Sequence, residues 1–106
     1  MSVAFHKGQT LGPDDLKISV RDTYGNLIDP SSITYSIFDI TTGVEVLIGS
    51  PNQTPASTEV GMFYVNATLP LDSNIGDWIV RWNFRETSIS PIVQVVQEFN
   101  VVGDVT

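Results

Sequence analysis

Cysteine is absent from the 106-residue chain, and histidine occurs once, at position 6. The first absence excludes disulfide frameworks, thiol nucleophiles and thiolate metal sites together, while leaving the compartment open. The second leaves His6 without a partner: no G-x-S-x-G nucleophile elbow exists elsewhere, so it reads as an exposed arm residue and no catalytic residue is assigned. Cations are scarce too. Five Lys and Arg against twelve Asp and Glu give a net charge of −7, a field that repels phosphate backbones, so nucleic acid is not expected as a partner. Lys7, Lys17, Arg21, Arg81 and Arg85 form no run, which argues equally against an anionic membrane surface. No apolar run approaches the ~20 residues of a membrane helix. The opening MSVAFHKGQTLGPDD has no apolar stretch behind a basic start, so no secretory signal is read there: either the protein is made and used in the cytoplasm or a signal has been removed, and Met1 favours a small complete gene product over an excised module. Gly8 and Gly12 do not open a helix after a strand, so no phosphate-binding loop and no cofactor are expected.

What the chain does contain is strand pattern. In the stretch Gly61 to Phe84, GMFYVNATLPLDSNIGDWIVRWNF, Trp78, Val80, Trp82 and Phe84 share one face, while Asp77, Ile79, Arg81 and Asn83 share the other. Phe63, Val65, Ala67 and Leu69 alternate likewise with Met62, Tyr64, Asn66 and Thr68, which predicts two long strands around a Leu69-Pro70, Asn74, Gly76 connector. Leu16, Ile18 and Val20 form the inward face of an earlier strand, closed by the turn residues Asp22 to Asn26. Ile33, Tyr35 and Ile37 lie opposite Phe38 and Ile40, so that strand is buried on both sides or bulged near Ile37-Phe38. Thr41 to Gly43 fits a hairpin loop leading into Val44, Val46 and Ile48. Gly49 to Val60 reads as a long loop, with Ala56 to Val60 able to add an edge strand. Pro51 and Pro55 exclude a central strand there. Val93, Val95, Phe99 and Val101 complete the core face after a Thr87 to Pro91 loop, with Gln97 as its one polar member.

About seven strands with turn residues every 8–12 positions describe an all-β domain: a single antiparallel two-sheet sandwich of immunoglobulin (Ig) type, with an open barrel as the alternative. The expected organisation is an N-terminal arm at 1–14, the Ig-like β-sandwich at 15–103 and a tail at 104–106. The carboxylates Asp14, Asp15, Asp22, Asp29, Asp72 and Asp77 fall at strand ends. They lack calcium-loop spacing, so turn capping is the expected role and no metal is assigned. The sequons Asn52-Gln53-Thr54 and Asn66-Ala67-Thr68 are not expected to be used.

Val20 to Asn26, V-R-D-T-Y-G-N, followed by Ile33 to Asp39, resembles the opening of bacterial Ig-like and invasin-type repeats. The Gly61-x-Phe63, Leu69-Pro70 and Gly76-x-Trp78 series is similar to the macroglobulin-type sandwich pattern. Lys7 to Leu16, K-G-Q-T-L-x-P-x-D-L, looks like the start of small stand-alone Ig-like proteins of tailed bacteriophages. The resemblance implies a non-catalytic structural protein of the virion, in the neck or tail or on the capsid. Its partners would be other virion structural proteins in a symmetric multi-copy assembly. The contacts expected on this reading are Val3, Phe5, His6 and Leu11 in the arm, Pro51 and Pro55 in the long loop, and Leu47, Ile79 and Val96 on outer strand faces. An extracellular module binding a glycan or receptor through strand-end loops is the alternative, and a glycosidase reading stands third, on paired carboxylates alone.

Overall fold

The computed structural model describes residues 3–71 and 74–103. Met1 and Ser2 of the expected arm, Asp72 among the strand-end carboxylates and the expected tail at 104–106 lie outside them. The chain forms β1 (Val3–His6), β2 (Lys17–Ser19), β3 (Ser32–Asp39), β4 (Val46–Gln53), β5 (Ala56–Glu59), β6 (Met62–Tyr64), β7 (Gly76–Arg85) and β8 (Val93–Val102), with no helix among the described residues. These eight strands make two sheets, ordered β1-β8-β7-β3-β4 and β2-β6-β5. Every strand pairing is antiparallel except β1 with β8, which is parallel.

Strand β7 is the centre of the larger sheet because both of its faces carry apolar side chains and both of its edges are paired. Its inner residues Trp78, Val80 and Trp82 lie in register with Asp39, Ile37 and Tyr35 of β3 and with Phe99, Gln97 and Val95 of β8. The smaller layer supplies Leu16, Ile18, Phe63, Val65 and Leu69 to the same core. Both indoles are fully buried. Tyr35 sits 5.6 Å from Trp82 and Phe99 sits 6.1 Å from Trp78, ring centroid to centroid. Contacts of this kind add about 0.5–1.5 kcal/mol each beyond the area they bury. A buried indole also needs an acceptor for its N–H. Trp78 Nε1 donates to Asn74 O at 3.1 Å, and Trp82 Nε1 donates to Gln97 Oε1 at 3.0 Å. Gln97 Nε2 then donates to Lys17 O on β2 at 2.9 Å. The odd polar residue of the core face is therefore a tie between the two sheets.

Residues 3–11, expected as part of an arm pairing at a sheet edge, do pair at the edge of the larger sheet and are stitched into the smaller layer as well. β1 lies along β8 with Phe5 buried edge-on to Phe99, ring centroids 5.6 Å apart. At Gly8 the backbone turns through φ +76°, a conformation that glycine adopts without penalty. The chain then crosses to the smaller layer, where Leu11 N donates to Ala67 O at 2.8 Å, Leu69 N donates to Gln9 O at 2.9 Å and Leu11 is buried.

Two strand expectations change in detail. The 61–69 stretch keeps its alternation, with Val65 and Leu69 buried and Asn66 and Thr68 exposed. The regular ladder nevertheless ends at Tyr64; Val65 still donates to Leu16 beside β2, and Leu69 donates to Gln9 in the N-terminal segment. The irregularity expected near Ile37-Phe38 falls between Tyr35 and Ile37, and it is carried by the partner: β4 pairs at Ile48 and again at Gln53, so the residues between bulge outward. Gly49 to Gln53 is thus the irregular end of an edge strand rather than a loop, and Pro51 is tolerated there because one side of the strand is open.

Candidate functional site

Of the expected partner contacts, four are buried. Phe5 and Leu11 belong to the core, and Pro55 is covered where the chain passes from β4 in one sheet to β5 in the other. Ile79 faces outward yet is buried, because Phe38 and Glu98 flank it in register on the neighbouring strands. These four are covered within the fold. Val3, His6, Leu47, Pro51 and Val96 are exposed. His6 is oriented by Gly103 O, 2.9 Å from its Nδ1. They do not form one patch: Val3 and Leu47 lie on opposite edge strands of the larger sheet, and Val96 lies on its outer face between them.

Three of the strand-end carboxylates accept from backbone N–H groups. Asp15 Oδ2 accepts from Gly12 N at 2.7 Å, and Asp29 Oδ1 accepts from Gly61 N at 3.0 Å. Asp22 Oδ1 accepts from Tyr24 N and Asn26 N at 2.9 and 3.0 Å, and the backbone bond from Asn26 leads the set that holds its carboxyl below the usual range. Asp39, which sequence reading passed over, is the buried one. Burial pushes its carboxyl up, but bonds from Thr41 Oγ1 (2.6 Å), Thr41 N (2.9 Å) and Asn74 Nδ2 (3.1 Å) outweigh burial and hold it below the usual value. Among the described residues, no three His, Asp or Glu side chains gather as a metal cluster.

The outer face of the larger sheet carries the remaining organised chemistry. Its rows run Phe38–Ile79–Glu98, then Ser36–Arg81–Val96, then Thr34–Asn83–Gln94. The Arg81 guanidinium lies over the Phe38 ring, 4.8 Å from its centroid, and forms an ion pair with Glu45, whose carboxyl it holds below the usual range. Beyond Arg81 a groove of about 310 Å³ opens between Ser32, Thr34, Asn52, Asn83, Phe84, Arg85 and Ile92. Asn52 is the only non-glycine with positive φ among the described residues, at 53°, and its N–H donates to the buried Ser36 Oγ at 2.9 Å. Asn83 Oδ1 accepts from Gln94 Nε2 at 3.2 Å, which turns the Asn83 amide hydrogens away from Gln94. Arg85 Nη1 donates to Ser90 O at 3.0 Å, which fixes one side of the guanidinium. A smaller hollow of about 150 Å³, near Trp78 and Phe99, is lined by Asp77 and Glu98 instead.

Sequence reading missed the groove because its lining comes from four separate stretches that only the register brings together. Arg85 was read only as one of five scattered cations. No protein-family model matches the chain, and no curated protein or solved structure matches it either.

Proposed function

We propose that this protein is an Ig-like, non-catalytic structural component of a tailed-bacteriophage virion, held in a multi-copy assembly by contacts at the rim of its larger sheet. The Ig-like part is supported by strand order. β8-β7-β3 corresponds to the G, F and C strands, β4 to C′, and β2-β6-β5 to B, E and D. Tyr35 on β3 packs against Trp82, occupying the strand on which antibody domains carry their core tryptophan. The virion part rests on the resemblance of the opening segment, Lys7 to Leu16.

The observation that carries the contact mechanism is the state of the two edge strands. β1 and β4 each pair on one side only, and they display Val3 at 49%, Val46 at 51% and Leu47 at 38% exposure. An open edge with apolar side chains offers backbone donors and acceptors for strand addition by a neighbour. The irregular backbone and Pro51 blunt the far end of β4, which leaves Val46 to Ile48 as its pairing segment. Val3→Asp and Leu47→Asp are expected to leave the isolated domain folded and to reduce its incorporation into particles. Incorporation at the wild-type level by both variants would overturn the edge mechanism.

A further inference from the structure

We infer that the groove on the outer face of the larger sheet binds an extended acidic segment of a partner protein, seating a carboxylate on the Arg85 guanidinium. The inference rests on the protein–protein reading above and supplies the chemistry of the partner. The lining is rich in donors: Arg85, the amides of Asn52 and Asn83 and the hydroxyls of Ser32 and Thr34. Among the described residues no carboxylate lines it, which makes the groove a local exception in a chain with twelve acidic residues and a net charge of −7. The other hollow, with Asp77 and Glu98, shows that the distribution is uneven. A planar guanidinium already fixed on one side by Ser90 O is preorganised for a two-point contact with a carboxylate.

Shape favours a peptide. The lining runs from Asn52 on β4 across β3 and β7 to Ile92 at the start of β8. Three strand spacings span roughly 14 Å, the length of about four extended residues. A sugar would need an aromatic face to stack on, but neither Trp nor Tyr lines the groove. Both indoles are fully buried, and the one aromatic in the lining, Phe84, belongs to the core-facing set of β7, in register with Ile33 and Val93.

The test is a titration of the isotope-labelled full chain, followed by amide chemical shifts, with end-capped Gly-Asp-Glu-Asp-Gly, its counterpart Gly-Asn-Gln-Asn-Gly, and glucuronate. The acidic peptide is expected to move Asn52, Asn83 and Arg85 in a saturable way. Binding should weaken about tenfold on Arg85→Ala, on the scale of one charge-assisted contact, and less on Arg85→Lys, which keeps the charge but not the planar fork. Unchanged thermal melting of the lysine variant keeps the comparison valid if the alanine variant is unstable. The inference is overturned if nothing moves, if the amide peptide binds equally well, or if glucuronate alone saturates the same residues as tightly. If the groove fails while the edge variants still block incorporation, the assembly reading stands. If the groove binds while the edge variants incorporate normally, that reading's edge mechanism falls instead.

Discussion

Replacing Gln97 by leucine isolates the tie between the sheets. The side chain accepts from Trp82 Nε1 at 3.0 Å and donates to Lys17 O at 2.9 Å, and Trp82 is fully buried. Leucine removes both bonds while keeping similar bulk. Stranding a buried N–H costs about 1–3 kcal/mol, and losing the more exposed carbonyl bond costs about 0.5–1 kcal/mol. Gln97 is only half-buried, so the apolar replacement recovers a fraction of that, about 1 kcal/mol. The net loss is therefore about 2 kcal/mol, or a fall in Tm of roughly 9 °C for a domain of this size. Urea melts of wild type, Gln97→Leu, Trp82→Phe and the double variant give the coupling directly. Phenylalanine has no N–H to strand, so Gln97→Leu should cost about 1–3 kcal/mol less in that background. A leucine variant as stable as wild type, or a cycle with no coupling, would refute the view that this bond pair holds the layers in register.

Phe5→Ala should cost about 3–4 kcal/mol in a urea melt, as for a well-packed core phenylalanine. Deletion of residues 1–11, which removes Leu11 as well, should then abolish the cooperative transition; a truncated chain that unfolds cooperatively would return the segment to the status of an arm. Because the folded-state pKa of Asp39 is depressed, its stabilising contribution is complete above the unfolded value of about 3.9 and is lost as pH falls through the lower folded value. Wild type should therefore exceed Asp39→Asn in urea midpoint at neutral pH, and the gap should narrow below about pH 4; a gap constant with pH would contradict this.

The parts of the fold that follow from local alternation were legible in the sequence. The faces of β7 and β8, apart from Val93, which alternation puts on the core face but which is exposed, the inward set Leu16, Ile18 and Val20, and the short edge strand after Pro55 follow from period-2 pattern and turn residues. Gln97 stood out there as polar on an apolar face, but its two partners lie on other strands. What was hidden depends on pairing across the chain. The parallel partner of β1 is at the opposite end of the sequence, so a four-residue strand set off by Gly8 looked detachable. Ile79 alternates as an outward residue, and only the register that sets Phe38 and Glu98 beside it accounts for its burial. The groove is hidden for the same reason: Thr34 and Asn83 become neighbours through the β3–β7 register, and Asn52 joins them through the bulged end of β4.

If the chain is a virion component, as proposed, its edge contacts are tested most directly by cross-linking mass spectrometry on purified phage particles. The protein should be present in multiple copies, with cross-links from Lys7, next to β1, to neighbouring virion proteins or to further copies of itself. Particles that lack the protein, or that carry it with no cross-link to any structural component, would contradict the account.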